Sequence, residues 1–327
     1  MKSDMFQTAV KILKATTRIL SNTKDMLPPL PLEVKVESLL TDFHRVERIS
    51  PGEDLDGSIT VEDEPGTPVY EWENDGVIFK GPFSQLQKNA SDLRYSLWGN
   101  QGFLYRYTLY LLEKKHKIYS LHACALYREE KDTLYLIVGG AGSGKTVYLL
   151  SGLDKGLKLF ATETVHLQIV ENKVIWYMGS LVDNVRLGTL VHDFPRFLPP
   201  GSGHDPRSQW QEKLAIDLSP FCAKKDSLQN PRNVSFLFPR VEKGFERPVW
   251  IPVKNRQKAE KFLFDNITQK LAETTLLYDR LVITGLDRKD MANSRFQAVK
   301  ELLGHPTISE ITTVITSPQE CWGDILQ

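Results

Sequence analysis

The apolar positions change period several times along the chain, and each change predicts an element. Met5, Ala9, Ile12, Leu13, Ile19 and Leu20 fall near one face of a helical wheel while Lys11, Lys14 and Arg18 lie elsewhere, the pattern of an amphipathic helix over residues 5–20. Pro28, Pro29 and Pro31 then break it, and β-like runs follow at 32–36, 58–61 and 68–72. Asn74-Asp75-Gly76 sits between the last of these and Val77-Ile78-Phe79, a hairpin signal because Asp and Gly accept the positive φ of tight turns. Helical spacing returns over 102–115, and 118–127 and 133–138 read as strands joined by the charged turn 128–132. Strands are expected again at 157–161, 164–170 and 173–178, the last two joined through Glu171-Asn172. The remaining chain reads helix 257–271, strand 281–284, helix 288–303 and strand 311–315.

At 327 residues the chain exceeds what one core usually organises. Two domains are expected, a small α+β domain over 1–100 and an α/β domain with a C-terminal α/β extension over 101–327. Basic and acidic side chains balance at 41 each, so no overall field favours polyanions, and nucleic acid is not an expected partner. No run approaches about 18 consecutive apolar residues, and the start lacks the layout of a secretory leader. No membrane span and a cytoplasmic location are therefore expected. Cys124, Cys222 and Cys321 are widely spaced and odd in number, which predicts reduced structural thiols rather than a disulfide or zinc framework.

Chemistry enters after the strand at 133–138. Gly139, Gly140, Ala141, Gly142, Ser143, Gly144, Lys145 and Thr146 fit the P-loop pattern of glycine, four residues, glycine, lysine and threonine without a mismatch. The glycines let backbone N–H groups turn toward phosphate oxygens, and the helix expected over 145–153 offers them its positive end. Lys145 is placed to neutralise the β and γ phosphates, and the Thr146 hydroxyl to meet Mg²⁺, which keeps most of its waters. ATP and Mg²⁺ are thus the expected cofactors.

Phosphoryl transfer also needs a carboxylate at a neighbouring strand end, to hold metal or take a proton. The nearest is Glu163, in Phe160-Ala161-Thr162-Glu163-Thr164-Val165. If its strand lies beside the P-loop strand, Glu163 opens onto the same crevice. An exposed strand-end glutamate is its plain reading; Asp287, with Asp279 at the other end of the strand at 281–284, is the second candidate. Ser120-Leu121-His122-Ala123-Cys124-Ala125-Leu126, the glycine loop, Leu149-Leu150 and Gly156-Leu157-Lys158-Leu159-Phe160-Ala161 together resemble the HPr kinase/phosphorylase family, whose core is shared with phosphoenolpyruvate carboxykinases. The resemblance spans roughly 116–255, with weaker echoes at 211–217 and 234–240. It implies a P-loop nucleotide-binding domain with a mixed β-sheet.

In that family a histidine-bearing strand precedes the P-loop, and the strand after the P-loop helix ends in two aspartates. Carried over, Glu163 stands where the second acts as base toward a hydroxyl acceptor, which makes it the candidate base or metal contact, and Thr162 stands where the first would be. The departure removes a negative charge beside the metal. The family's leucine, arginine and glycine-rich second signature has no close match here, so HPr itself is not the expected substrate. His122 corresponds to the family histidine and is a candidate for touching phosphate or acceptor, against the plainer reading of a core histidine. Arg186 is a candidate cation for the transferred group, against that of a solvated arginine. The Gly- and Pro-rich stretch 199–207 could bring His204 or Arg207 onto substrate, or be a surface loop. Lys213 and Asp217 match the family echo at 211–217, against the plainer readings of a surface lysine and a turn carboxylate.

The expected activity is transfer of the γ phosphoryl group of ATP to a hydroxyl of a protein, peptide or small molecule. The alternative is an ATP-binding regulatory module without transfer, which Thr162 favours and an intact Lys145 and Thr146 oppose.

Overall fold

The computed structural model describes residues 5–29, 40–52, 54–140, 142–201, 209–242, 244, 247–318 and 321–322. The run expected at 32–36, Ala141 of the glycine loop, and His204 with Arg207 lie outside the described residues. The chain is mixed α/β and forms two compact units, Met1–Tyr119 with Lys270–Ala292, and Ser120–Gln269 with Asn293–Gln327. Among the described residues no helix is long and apolar enough to cross a membrane.

The first unit holds a six-stranded sheet built from β1 (Phe6–Ile12), β2 (Ala15–Ser21), β3 (Glu47–Ile49), β4 (Gly57–Asp63), β5 (Val69–Glu73) and β6 (Gly76–Gly81), in the order β3-β1-β2-β4-β6-β5. The helix expected over 5–20 is not there. Those residues form the antiparallel hairpin β1–β2, closed where Ile12 pairs with Ala15. In β2 the buried positions are Ala15, Thr17, Ile19 and Ser21, a period of two. Thr8, Val10, Ile12, Thr16, Thr17 and Ile19 are β-branched and lose less as strand than as helix. The Asn74-Asp75 hairpin forms as expected, with Glu73 opposite Gly76 and Asn74 at φ 55°. Two helices follow, α1 (Phe83–Asn89) and α2 (Phe103–His116), the latter buried from Phe103 to Glu113. Phe103 meets Phe79 of β6 edge to face at 4.7 Å.

The run expected as one strand over 118–127 divides at His122 into β7 (Ile118–Leu121) and β8 (Ala123–Arg128), which enter different sheets. A change of sheet needs one residue outside both ladders, and His122 is that residue. Next come β9 (Thr133–Val138), α3 (Lys145–Asp154), β10 (Lys158–Ala161), β11 (Val165–Val170), β12 (Lys173–Tyr177), β13 (Val182–Arg186), α4 (Leu187–His192), β14 (Lys213–Asp217), β15 (Ser227–Gln229), β16 (Asn233–Val241), β17 (Val249–Pro252) and α5 (Arg256–Ala272). The hairpin of β18 (Thr275–Leu277) and β19 (Leu281–Ile283) belongs to the first unit; α6 (Lys289–Gly304) and β20 (Ile308–Thr316) end the chain's regular structure among the described residues.

The second unit's main sheet runs β10-β8-β9-β16-β20-β17 and is mixed: β9, β16 and β20 are parallel, while β8 and β17 run against their neighbours. Every residue of β9 is buried, as expected of a strand covered on both faces. On one face α3 packs Leu149, Leu150 and Leu153 against Leu126, Ile137, Leu237 and Trp322. Alternation sends Phe238 to the face opposite Leu237, where it meets Phe262 of α5 at 5.3 Å. The smaller sheet runs β15-β12-β11-β7, and β13 pairs with β14 as a separate ribbon.

Candidate functional site

The glycine loop leaves the buried end of β9 and enters α3 directly at Lys145. Gly144 takes φ 99°, and a Cβ there would run into the Val241 side chain at the end of β16, so the position requires glycine on two counts. Gly142 is also left-handed, at φ 79°. Lys145 Nζ folds back to donate to Gly139 O at 2.7 Å and Gly140 O at 3.2 Å. Its charge therefore lies on the loop's entry. Ser143 Oγ is buried without a partner among the described residues.

The strand after α3 is not the neighbour of β9. β8 lies between them, antiparallel to both, so β10 and β9 point the same way with one strand intervening. The expectation that Glu163 shares the loop's edge needs this correction in its geometry, but parallel direction still puts the end of β10 on the edge where β9 ends. His122 closes the interval. It precedes Ala123, which pairs with Val138, the last residue of β9. Its Nε2 lies 3.0 Å from Glu163 Oε2, and its Nδ1 lies 3.0 Å from Gln269 Oε1 on α5. Asn266 Nδ2 donates to His122 O at 2.8 Å, tying α5 to the sheet switch. His166, by contrast, is wholly buried with Nδ1 2.8 Å from Ser120 Oγ, and burial pushes it down to about 3; it is a neutral core histidine.

Thr162 is 1% exposed, and its hydroxyl donates to Val182 O at 2.7 Å and lies 2.9 Å from Ser180 Oγ. Ser180 Oγ in turn accepts from the Glu163 N–H at 2.8 Å. Thr162 thus locks the end of β10 to the start of β13. The residue so presented is Asp183, itself 1% exposed. It accepts from the Thr146 hydroxyl, from a backbone N–H at Asn184, and feels Lys145; burial and the negative charge of Glu163 outweigh these and push its carboxyl up to about 7. Its Oδ2 is buried without a partner among the described residues.

A second carboxylate, Asp183, therefore lies close to Glu163 at the strand ends that Thr162 joins. Sequence reasoning missed it. The available signal was an acid inside the short apolar run Leu181-Val182-Asp183-Asn184-Val185, where a solvated carboxylate has no reason to sit.

Two neighbouring carboxyl groups, one of them with a buried oxygen unpartnered among the described residues, and a threonine hydroxyl form a donor set suited to a hard divalent cation that retains water. Glu163 and Thr146 are the direct candidates for Mg²⁺, with Asp183 beside them. No group of three or more His, Cys, Asp or Glu suited to a metal occurs among the described residues.

Other candidates are not brought together with this group. Arg186 shares β13 with Asp183 but lies on the exposed side of the strand and donates to Trp210 O at 2.8 Å. Asp279 and Asp287 are exposed and belong to the first unit. Lys213 and Asp217 are exposed, and Asp217 Oδ1 accepts from the Ser219 N–H at 2.8 Å. All three cysteines are free.

Comparison with protein-family models and with curated proteins gives no match to this chain.

Proposed function

We propose that the chain is an ATP-dependent kinase that resembles HPr kinase/phosphorylase in its P-loop core and passes the γ phosphoryl group to a hydroxyl acceptor. The observation that carries the reading is that Asp183 accepts from Thr146 of the loop with Glu163 close enough to raise its carboxyl, and that Lys145 lies at the loop's entry. In this reading the backbone of residues 139–144 and the start of α3 hold phosphate oxygens. Lys145 leaves Gly139 O for the β and γ phosphates. Thr146 and Glu163 are the residues that would hold Mg²⁺, which when bound would neutralise charge on the phosphates. Glu163, oriented by His122, accepts the acceptor's proton, and Thr162 holds the strand ends that set Glu163 and Asp183 side by side. Arg186 keeps the role of a cation for the transferred group only if it leaves Trp210 O.

Labelled ATP with Mg²⁺, offered to the protein with an extract of its source cells, tests the reading. Glu163→Gln is expected to keep nucleotide affinity and lose transfer by about a hundredfold or more, while Lys145→Ala loses both. Nucleotide that binds while no label moves would instead make the chain a nucleotide-responsive binding module.

A further inference from the structure

A cavity of about 740 Å³ opens beside the loop in the second unit, bordered by Gly139 and Gly140, by the end of β16 and by α5. Its volume is that of a small-molecule site. Along α5 the lining residues Lys258, Phe262, Asp265 and Gln269 recur at intervals of four, three and four, one face of the helix. The trough so formed is about 16 Å long from the helical rise. Phe238, Pro239 and Phe262 make its walls apolar in the middle.

The two ends differ. At one, Gln269 reaches His122 and through it Glu163. The same glycines that border the cavity accept from the Lys145 ammonium, the group that moves onto the β and γ phosphates in the kinase reading. With His122 and Glu163 at this end as well, the kinase reading puts the γ end of a bound nucleotide here rather than its base. At the other end Lys258 lies over the Phe262 ring at 5.5 Å. Asp265 is paired with Lys261 and Arg240 with Glu242, while Lys258 has no ion pair among the described residues.

Resting on the kinase reading, we propose that this cavity is the acceptor site and that the acceptor is a small hydroxy acid: an alcohol at one end, an apolar body, and an anionic group that meets Lys258. The acceptor oxygen bonds to the γ phosphorus as the bond from that phosphorus to the β–γ bridging oxygen breaks. ADP leaves with the electron pair, and the hydroxyl proton passes to the Glu163 carboxylate.

Transfer from labelled ATP is measured to 4-(hydroxymethyl)benzoate and to 4-(hydroxymethyl)benzylamine, and to the dialysable and retained fractions of a source-cell extract, with nucleotide affinity measured alongside. The expected result is label in the dialysable fraction and a preference for the acid probe over the amine. Lys258→Glu, an exposed change, should cut that preference about tenfold. Phe262→Trp, which narrows the middle of the trough, should lower transfer to both while ATP affinity stays. Label on retained macromolecules alone, or a Lys258→Glu protein with the parent's preference, overturns the acceptor site and leaves the kinase standing. Loss of ATP binding in the parent, or binding with no transfer to any fraction, overturns the kinase reading and this inference with it.

Discussion

Asp183 is where burial, charge and chemistry meet in one side chain. An ordinary aspartate titrates near 3.8, and here desolvation and the Glu163 charge hold the carboxyl up to about 7. Between those values the folded protein retains a proton that the unfolded chain has released. Stability from this group is thus complete below 3.8 and is lost as pH rises through 7. Asp183→Asn keeps the shape and removes the ionisation. In metal-free protein, the variant is expected to match the parent at pH 4 and to melt several degrees higher at pH 8. Added Mg²⁺ should narrow the difference at pH 8, because a cation restores the ionised form. Thermal melts at both pH values with and without Mg²⁺ check this, and equal melting of the two proteins at pH 8 without metal would refute it. If the proposed transfer takes place, the same variant should weaken it, since metal binding would require the charge that folding disfavours.

Among the elements, what the sequence made legible was whatever local chemistry decides. The strand, glycine loop and helix around residues 133–154 follow from one motif, and Glu171-Asn172 turns with φ 51° and 60° as two-residue hairpins do. Tertiary pairing decided the rest. The N-terminal hairpin shows why: Ile12 and Ile19 suit one face of a helix as well as one face of the hairpin, and only the neighbouring β3 and β4 choose the strand. Its turn carries the trace of that choice, because Leu13 is held at φ 55°, a conformation that disfavours a side chain with a Cβ. Leu13→Gly is expected to stabilise the protein by about 1 kcal/mol, visible as a higher denaturant midpoint at unchanged slope. A lower midpoint would mean that Leu13 packing outweighs backbone strain. Glu163 and His122 were legible because they flank the motif. Asp183 was not, because its approach depends on Thr162 and Ser180 joining strand ends that are distant in sequence.

At the scale of the whole molecule, the chain order and the two units do not coincide. The sequence offered one boundary near residue 100, since composition gives no sign that 270–292 returns to the first unit. Packing inside that unit explains the return. Arg106, 4% exposed on α2, donates through Nη1 to Lys270 O at 2.7 Å and Glu273 O at 2.9 Å. Tyr278 accepts from the Leu97 N–H at 3.1 Å, donates to Gln87 Oε1 at 2.7 Å and lies 6.1 Å from the Phe83 ring. Trp72 donates to Thr284 O at 3.2 Å. Without 270–292 a buried guanidinium loses both carbonyls, and each such group left unsatisfied costs about 1–3 kcal/mol, a large share of a small domain's stability. A fragment of residues 1–119 is therefore expected to lack a cooperative urea transition, whereas the same fragment joined by a flexible linker to 270–292 should regain one. A cooperative transition in 1–119 alone would show that the sheet and α2 suffice, and that the returning segment is an addition to a unit already complete.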